Sequence, residues 1–432
     1  SGWWLGISSR STRSRCRVDD RACDTLSEMH TRTLLSSELW VPLASVIAGL
    51  GAFGFIAISS RSLGLDDYVP IGQLWSIWAL AFAVVSFTSQ QTVVRGHVIR
   101  REVPRSFVTG DELLPLVLLS IPLAVVVFVW NEQIFRSGSY WWPFLAMAMP
   151  FGTLLSGTTR GLWAASGRLA GLSFVIAGEN VIRVLGAAVL AATGAPAPWF
   201  AAAIVAGFAI GFFRPSSSSG TRRWPSPPAE PGLAAATAAT SLMAHASQVG
   251  APVLLALHGA DAREVSALFA VLAIYRAPYQ LALGLVPRIA AMQVLAFAEG
   301  QQLRQAVRLR GLAGLALVAM LGGFGAAILG ELVVSPLFGA AGILSDIDHL
   351  LGAVLVILGI GNLGLTVLRV ATGRGLPLLV RRGTAALVGV VLLAAISHDI
   401  TTVLLALVVM EGSASLTLSL GADNEWQASP TT

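Results

Sequence analysis

The sequence predicts an all-α integral membrane protein with about twelve transmembrane helices in two six-helix lobes, and three observations predict it. Apolar segments about one bilayer long recur between residues 39 and 420, and roughly 20 residues suffice for a helix to cross about 30 Å of hydrocarbon. Hydrophobic residues make up 55% of the chain and charged residues only 12%, with a mean hydropathy of +0.74, which excludes an ordinary soluble multidomain protein. Arginine-rich and arginine-poor loops alternate along the chain. Because lipid offers the backbone no hydrogen-bond partners, the spans are expected to be helices.

Span one covers 39–60 and ends in a small acidic loop, Leu65-Asp66-Asp67-Tyr68; span two, 71–94, closes on Val93-Val94-Arg95. Spans three to six cover 113–130, 141–163, 169–193 and 196–213. The next stretch, RPSSSSGTRRWPSPPAEPG, is too rich in Pro, Ser and Gly to continue a span and reads as a flexible linker. Spans seven to twelve follow at 233–257, 265–287, 311–330, 350–371, 376–397 and 401–420. The expected organisation is therefore a polar tail (1–37), an N-lobe (38–213), a linker (214–232), a C-lobe (233–421) and a short tail (422–432). The first tail holds six arginines and no apolar h-region, so it reads as an irregular cytoplasmic tail rather than a secretory signal. Its Cys16 and Cys23 have no partners at metal-ligand spacing and receive no role.

Orientation is read from arginines near span ends. The even-numbered loops carry Arg95, Arg100, Arg101 and Arg105, then Arg160 and Arg168, Arg214, Arg222 and Arg223, Arg304, Arg308 and Arg310, and Arg374, Arg381 and Arg382. The opposite loops hold Arg61, Arg136 and Arg263, and instead display Asp66, Asp67, Glu132, Asp261, Asp346, Asp348 and Asp399. This bias predicts an inner-membrane protein with both termini cytoplasmic. It also explains the basic balance as topology, with no nucleic-acid partner.

The halves form an internal repeat. Asp66 precedes Arg95 by 29 residues in span two, and Asp261 precedes Arg288 by 27 in span eight. The turn Gly167-Arg168 joins spans four and five as Gly373-Arg374 joins spans ten and eleven. Two halves of the same topology imply a parallel repeat about an axis normal to the membrane, with a substrate site between them.

Several of these segments resemble a known family: Ser59-Ser60-Arg61-Ser62-Leu63-Gly64 followed by an acid and Tyr68, the run Gln90 to Arg95, the two GR turns, the step Glu179 to Arg183, and Ser-Pro-Leu-Phe-Gly at 335–339. Over about residues 36–420 the chain is similar to polysaccharide and lipid-linked oligosaccharide flippases of the multidrug/oligosaccharidyl-lipid/polysaccharide exporter superfamily. The resemblance implies a MATE-like, two-lobed, alternating-access transporter. Its substrate would be a polyprenyl-diphosphate-linked glycan moved from the inner to the outer leaflet, and its partners glycosyltransferases and a glycan polymerase.

Charge inside the membrane is costly, about 2.5 to 3.5 kcal/mol for a mid-span arginine, so intramembrane charges are the candidate site. A lipid diphosphate suits guanidinium forks, which bind phosphate oxygens bidentately without losing their proton. Arg276, deep in span eight between Tyr275 and Tyr279, is the leading substrate-binding candidate. Arg183 follows Glu179 by one helical turn, a spacing that equally suits a structural pair inside the N-lobe. Arg61, Arg95, Arg288 and Arg369 lie near span ends, where snorkelling competes with a substrate role. Glu179 and Glu411 lie within apolar runs and are candidates for coupling to a sodium or proton gradient. Glu411 has no basic residue within four positions, so it should face a cavity or another helix. Asn180, Gln90, Gln91, Gln248, Gln280 and Asn362 can line a sugar-accepting vestibule or act as packing glue. Pro252, Pro278 and Pro377 can bend spans seven, eight and eleven. No cofactor or metal motif is present, and no catalytic residue is assigned.

Two other readings compete. A glycan polymerase or ligase would have to use the cluster Asp346, Asp348 and His349 in the loop before span ten. A cation-coupled drug exporter would want an acid in span one, and no Asp or Glu occurs between Leu39 and Ser60.

Overall fold

The computed structural model describes residues 20–100, 110–166, 168–213, 251–269, 345–372, 375–396 and 399–419, with shorter pieces at 238–239, 241–242, 271–272, 278, 314, 316–317, 319–325 and 328. Among these residues every element is helical. The first helix runs on from Asp20, through a stretch expected to be irregular, and its membrane-length part is α1 (Trp40–Gly64). At Gly64 the chain turns back: φ of 79° and ψ of 162° are a combination that glycine adopts and other residues do not without strain. Helix α2 (Asp66–Val94) begins two residues later, with Asp66 and Asp67 in the first turn, where the positive end of the helix favours carboxylates. It therefore includes residues expected in a loop. The hairpin is closed by the stacked rings of Phe55 and Trp75, 5.0 Å apart.

Beyond α2 come α3 (Gly110–Val129), a short helix Asn131–Phe135, α4 (Trp141–Ala165), α5 (Leu169–Ala192) and α6 (Ala197–Ala206), which tightens into a 3₁₀ segment over Gly207–Phe212. The described parts of the next spans are α7 (251–257), α8 (262–269) and α9 (319–325). The chain continues as α10 (Asp346–Thr372), α11 (Gly375–Ile396) and α12 (Ile400–Ser419). Between α7 and α8, Gly259 has φ of 90°. It stands two residues before Asp261 as Gly64 stands two before Asp66, so the repeat read from the acids recurs in the backbone.

The loop acids are helix caps. Ser345 N–H donates to Asp348 and Asp348 N–H to Ser345 Oγ, a reciprocal box at the start of α10, and Thr401 Oγ1 donates to Asp348 from α12. Glu264 N–H donates to Asp261 at α8, and Thr402 N–H to Asp399 at α12.

Helix α2 is the centre of the bundle and is buried along almost its whole length. A single π turn at Phe82–Ser86, closed by Phe87 N–H donating to Phe82 O, interrupts it. α4 lies so close that a Cβ on Gly157 would meet Ser86 O at 2.5 Å. On the outside, Leu113, Val117, Ile121, Val125 and Phe128 of α3 are exposed along one stripe. Such a patch belongs in lipid, not water. Trp130, Tyr140, Trp141 and Trp199 ring the end of the bundle that carries Asp66, and Trp40, Phe212 and Phe213 the opposite end, as interfacial aromatics do. Five described helices, α1, α2, α5 and most of α10 and α12, are long and apolar enough to cross a membrane.

One expectation needs correction. Arg160, Arg381 and Arg382, counted as loop arginines, lie inside α4 and α11, and Arg160 and Arg382 are buried. Apolar windows cannot separate an arginine at a span end that reaches headgroups from one that reaches a carboxylate on a neighbouring helix. The remaining bias is unchanged in sign.

Replacing Gly64 by Val forces a side chain into its left-handed turn. The expected loss is about 1–3 kcal/mol, read as a lower Tm of the detergent-purified protein, with Gly259→Val behaving alike.

Candidate functional site

In the N-lobe, Glu179 is fully buried and bound from three directions. Arg160 Nη2 donates to Oε2 at 2.6 Å from α4, and Ser156 Oγ donates to the same oxygen at 2.8 Å. Arg183 Nη2 lies 2.7 Å from Oε1, off hydrogen-bond alignment, so that contact is Coulombic. The guanidinium of Arg183 also donates from Nε to Ile204 O on α6 and from Nη1 to Asn180 Oδ1. Its face lies 4.4 Å from the Trp78 ring, 5.1 Å from Phe208 and 5.8 Å from Trp75, while Arg160 lies 4.8 Å from Phe82. Two cations face one carboxylate here, and the aromatic faces solvate the excess charge. Gly207 is required beside them, since a Cβ there would meet Arg183 Nε at 2.6 Å.

The C-lobe holds a related cluster. The GR turns lie 206 residues apart, and that offset carries Ser156 onto Asn362 and Arg160 onto Thr366. Asn362 Nδ2 donates to Glu411 Oε2 at 2.5 Å, as Ser156 does to Glu179. Arg382 Nη2 donates to Thr366 Oγ1 at 3.2 Å and Nη1 reaches Glu411 at 3.4 Å. Equivalent positions of α4 and α10 thus serve a carboxylate in each lobe. The carboxylate comes from α5 in one and from α12 in the other.

The lobes meet at α2. Tyr68 and Phe269 of α8 pack with ring centroids 5.8 Å apart, and Gln73 Nε2 donates to Pro252 O on α7 at 3.4 Å. Val69, Gly72, Val265 and Ser266 close the crevice around them. Arg136, held at φ of 50° after the short helix, donates to Ala260 O at 2.6 Å and Ala256 O at 3.3 Å, capping the carbonyl end of α7. Among the described residues, these contacts close the Asp66 end between the N-lobe and α7 and α8.

Of the residues singled out in the sequence, the structure brings Glu179 and Arg183 together and sets Glu411 against α10 and α11. Asn180 and Asn362 are absorbed into these two networks. Arg61 stands exposed in the last turn of α1. Arg276, Arg288, Gln248 and Gln280 lie outside the described residues, as do the side chains of Arg95 and Arg369. Sequence reading missed Arg160, Arg382 and Ser156. A signal existed, because Arg160 and Arg382 stand within apolar runs and each lobe has one acid left to neutralise.

Glu179→Gln leaves two buried guanidiniums without a counter-charge, and about 3–5 kcal/mol of stability should be lost. Arg160→Met keeps the Arg183 pair and should cost clearly less in the same thermal melt. Arg136→Ala should loosen the shut end, seen as faster labelling of a Ser76→Cys reporter by a membrane-impermeant maleimide.

No protein-family model matches the chain, and no curated protein matches it. Solved structures do. The eukaryotic MATE transporter AtDTX14 aligns over 91% of this chain and 97% of its own, with a TM-score of 0.67 at 12% identity. A multidrug resistance MATE family transporter of the MOP superfamily, in an outward-facing conformation, aligns over 90% and 96% with a TM-score of 0.59 at 14% identity. The Vibrio cholerae MATE transporter VcmN aligns over 93% and 98% with a TM-score of 0.55 at 13% identity. The chain has the fold of the MATE transporters.

Proposed function

We propose that the chain is an alternating-access transporter that flips a polyprenyl-diphosphate-linked oligosaccharide from the inner to the outer leaflet. The observation that carries this reading is the distribution of intramembrane charge. α1 has no acid between Trp40 and Ser60, and α2 none between Asp67 and Arg95. Glu179 and Glu411 already face guanidiniums inside their own lobes. On the described helices that meet between the lobes the acids, Asp66, Asp67 and Glu264, stand in first turns at one membrane edge, and the apolar depth of α2 offers a cationic drug none. An anionic diphosphate, held by arginines such as Arg276, fits that balance better. The arginine bias favours an orientation with the Asp66 end outside and both termini in the cytoplasm, in which the described contacts at that end would face the exterior. Glycosyltransferases and a glycan polymerase would supply and consume the lipid-linked glycan. Glu179 and Glu411, buried in their lobes, are the two candidates for coupling to a proton or sodium gradient.

A second reading, a cation-coupled multidrug exporter, rests on the multidrug resistance transporter among the solved neighbours. One experiment separates them. Polyprenyl-diphosphate glycans are quantified by mass spectrometry in cells depleted of the protein, and leaflet location is scored with an impermeant glycosidase. One glycan is expected to accumulate, protected in the inner leaflet, and to be cleared by wild type but not by Arg276→Ala. An unchanged lipid pool together with restored ethidium efflux would favour the exporter.

A further inference from the structure

Among the described residues, unpartnered polar side-chain atoms are concentrated on α2, with Ser120 Oγ on α3 another. Ser45 on α1, Thr158 on α4 and Ser173 on α5 turn their hydroxyls back to the carbonyl one turn earlier, the usual resort of a hydroxyl in an apolar helix. On α2, buried side-chain atoms of Tyr68, Gln73, Ser76, Trp78, Ser86, Thr88, Ser89, Gln90 and Gln91 have no hydrogen-bond partner among the described residues, among them Gln73 Oε1, Ser76 Oγ, Thr88 Oγ1 and Gln91 Nε2. Gln73 meets the other lobe through its amide nitrogen, and Ser76 follows one turn on. Counting the extra residue taken up by the π turn, Thr88 and Gln91 fall within an arc of about 100° of these two at about 100° per residue. Ser86 and Gln90, by contrast, lie against Gly157 and Gly161 of α4. Of these atoms, those of Gln73, Ser76, Thr88 and Gln91 form a row along one side of α2 that begins at the contact between lobes. From Gln73 to Gln91 it extends about 27 Å at 1.5 Å per residue, nearly the depth of the hydrocarbon.

Buried polar groups in a membrane protein are ordinarily satisfied, and a row that is not marks a place where something else supplies the bonds. We propose that this row is a hydrogen-bonding rail for the uncharged, hydroxyl-rich sugar units of the transported glycan, engaged when the lobes part. The proposal rests on the flippase reading and deepens it. The rail mixes an acceptor, a donor and two hydroxyls that do both, which matches sugar hydroxyls. It contains no charge, since α2 has none between Asp67 and Arg95. Diphosphate recognition is left to arginines elsewhere, and the rail carries the neutral part over the depth of the membrane.

The test replaces Gln73→Leu, Ser76→Ala, Thr88→Val and Gln91→Leu together, keeping shape and removing hydrogen bonding, with Ser120→Ala on α3 as a control. The purified quadruple variant should melt no lower than wild type, because apolar isosteres relieve unpartnered groups. In depleted cells it should leave a protected lipid-linked glycan pool at least tenfold above that left by wild type or by the control. Clearance at the wild-type rate overturns the rail, and so does a lowered Tm, which would mean that these atoms make structural bonds. If wild-type and depleted cells hold the same pool, the flippase reading itself fails, and the rail with it.

Discussion

The N-lobe is organised around a single carboxylate. Glu179 has to neutralise two guanidiniums in a place where an unpaired charge would be untenable, and meeting that requirement fixes the positions of α2, α4, α5 and α6. Arg160 and Ser156 reach it from α4, Arg183 from its own helix, and Arg183 is in turn held by Ile204 O on α6 and the rings of α2. The glycines at 157 and 207 follow from the same need, because larger residues would hold the helices too far apart for these contacts.

The C-lobe solves the same problem with different parts. Asn362 and Thr366 stand where the repeat places Ser156 and Arg160, yet the acid and the arginine arrive from α12 and α11. What duplication preserves is the helix that presents the donors, not the residue that accepts from them. Each lobe is thus locked internally by ion pairs and buried hydrogen bonds. Between the lobes the described contacts include an aromatic pair, one amide to a carbonyl, and the Arg136 guanidinium on carbonyls.

Much of the fold was legible in the sequence. Apolar length gave the spans, because lipid penalises each exposed backbone group and each charge. The acids and GR turns gave the repeat, because short loops demand special residues. The boundaries were less legible. Asp66, Asp67 and the residues after them look like a loop by polarity, but they are the acidic first turn of α2, and only the backbone of Gly64 shows where the helices part. The short 3₁₀ end of α6 carries no sequence signal at all.

For the site, the sequence by itself determined which charges lie inside apolar runs, that Glu179 and Arg183 share a helix face, and that the first two spans lack an acid. Those are properties of one helix and its spacing. Only the tertiary structure decided which partners answer them. Arg160 and Glu179 are 19 residues apart, Arg382 and Glu411 are 29 apart, and Gln73 meets Pro252 across 179 positions. No periodicity encodes such distances, because they depend on how whole helices pack. The same packing leaves Gln73 Oε1, Ser76 Oγ, Thr88 Oγ1 and Gln91 Nε2 without a hydrogen-bond partner among the described residues, while Asn180 and Asn362, residues that look alike in the sequence, are drawn into the two charge networks.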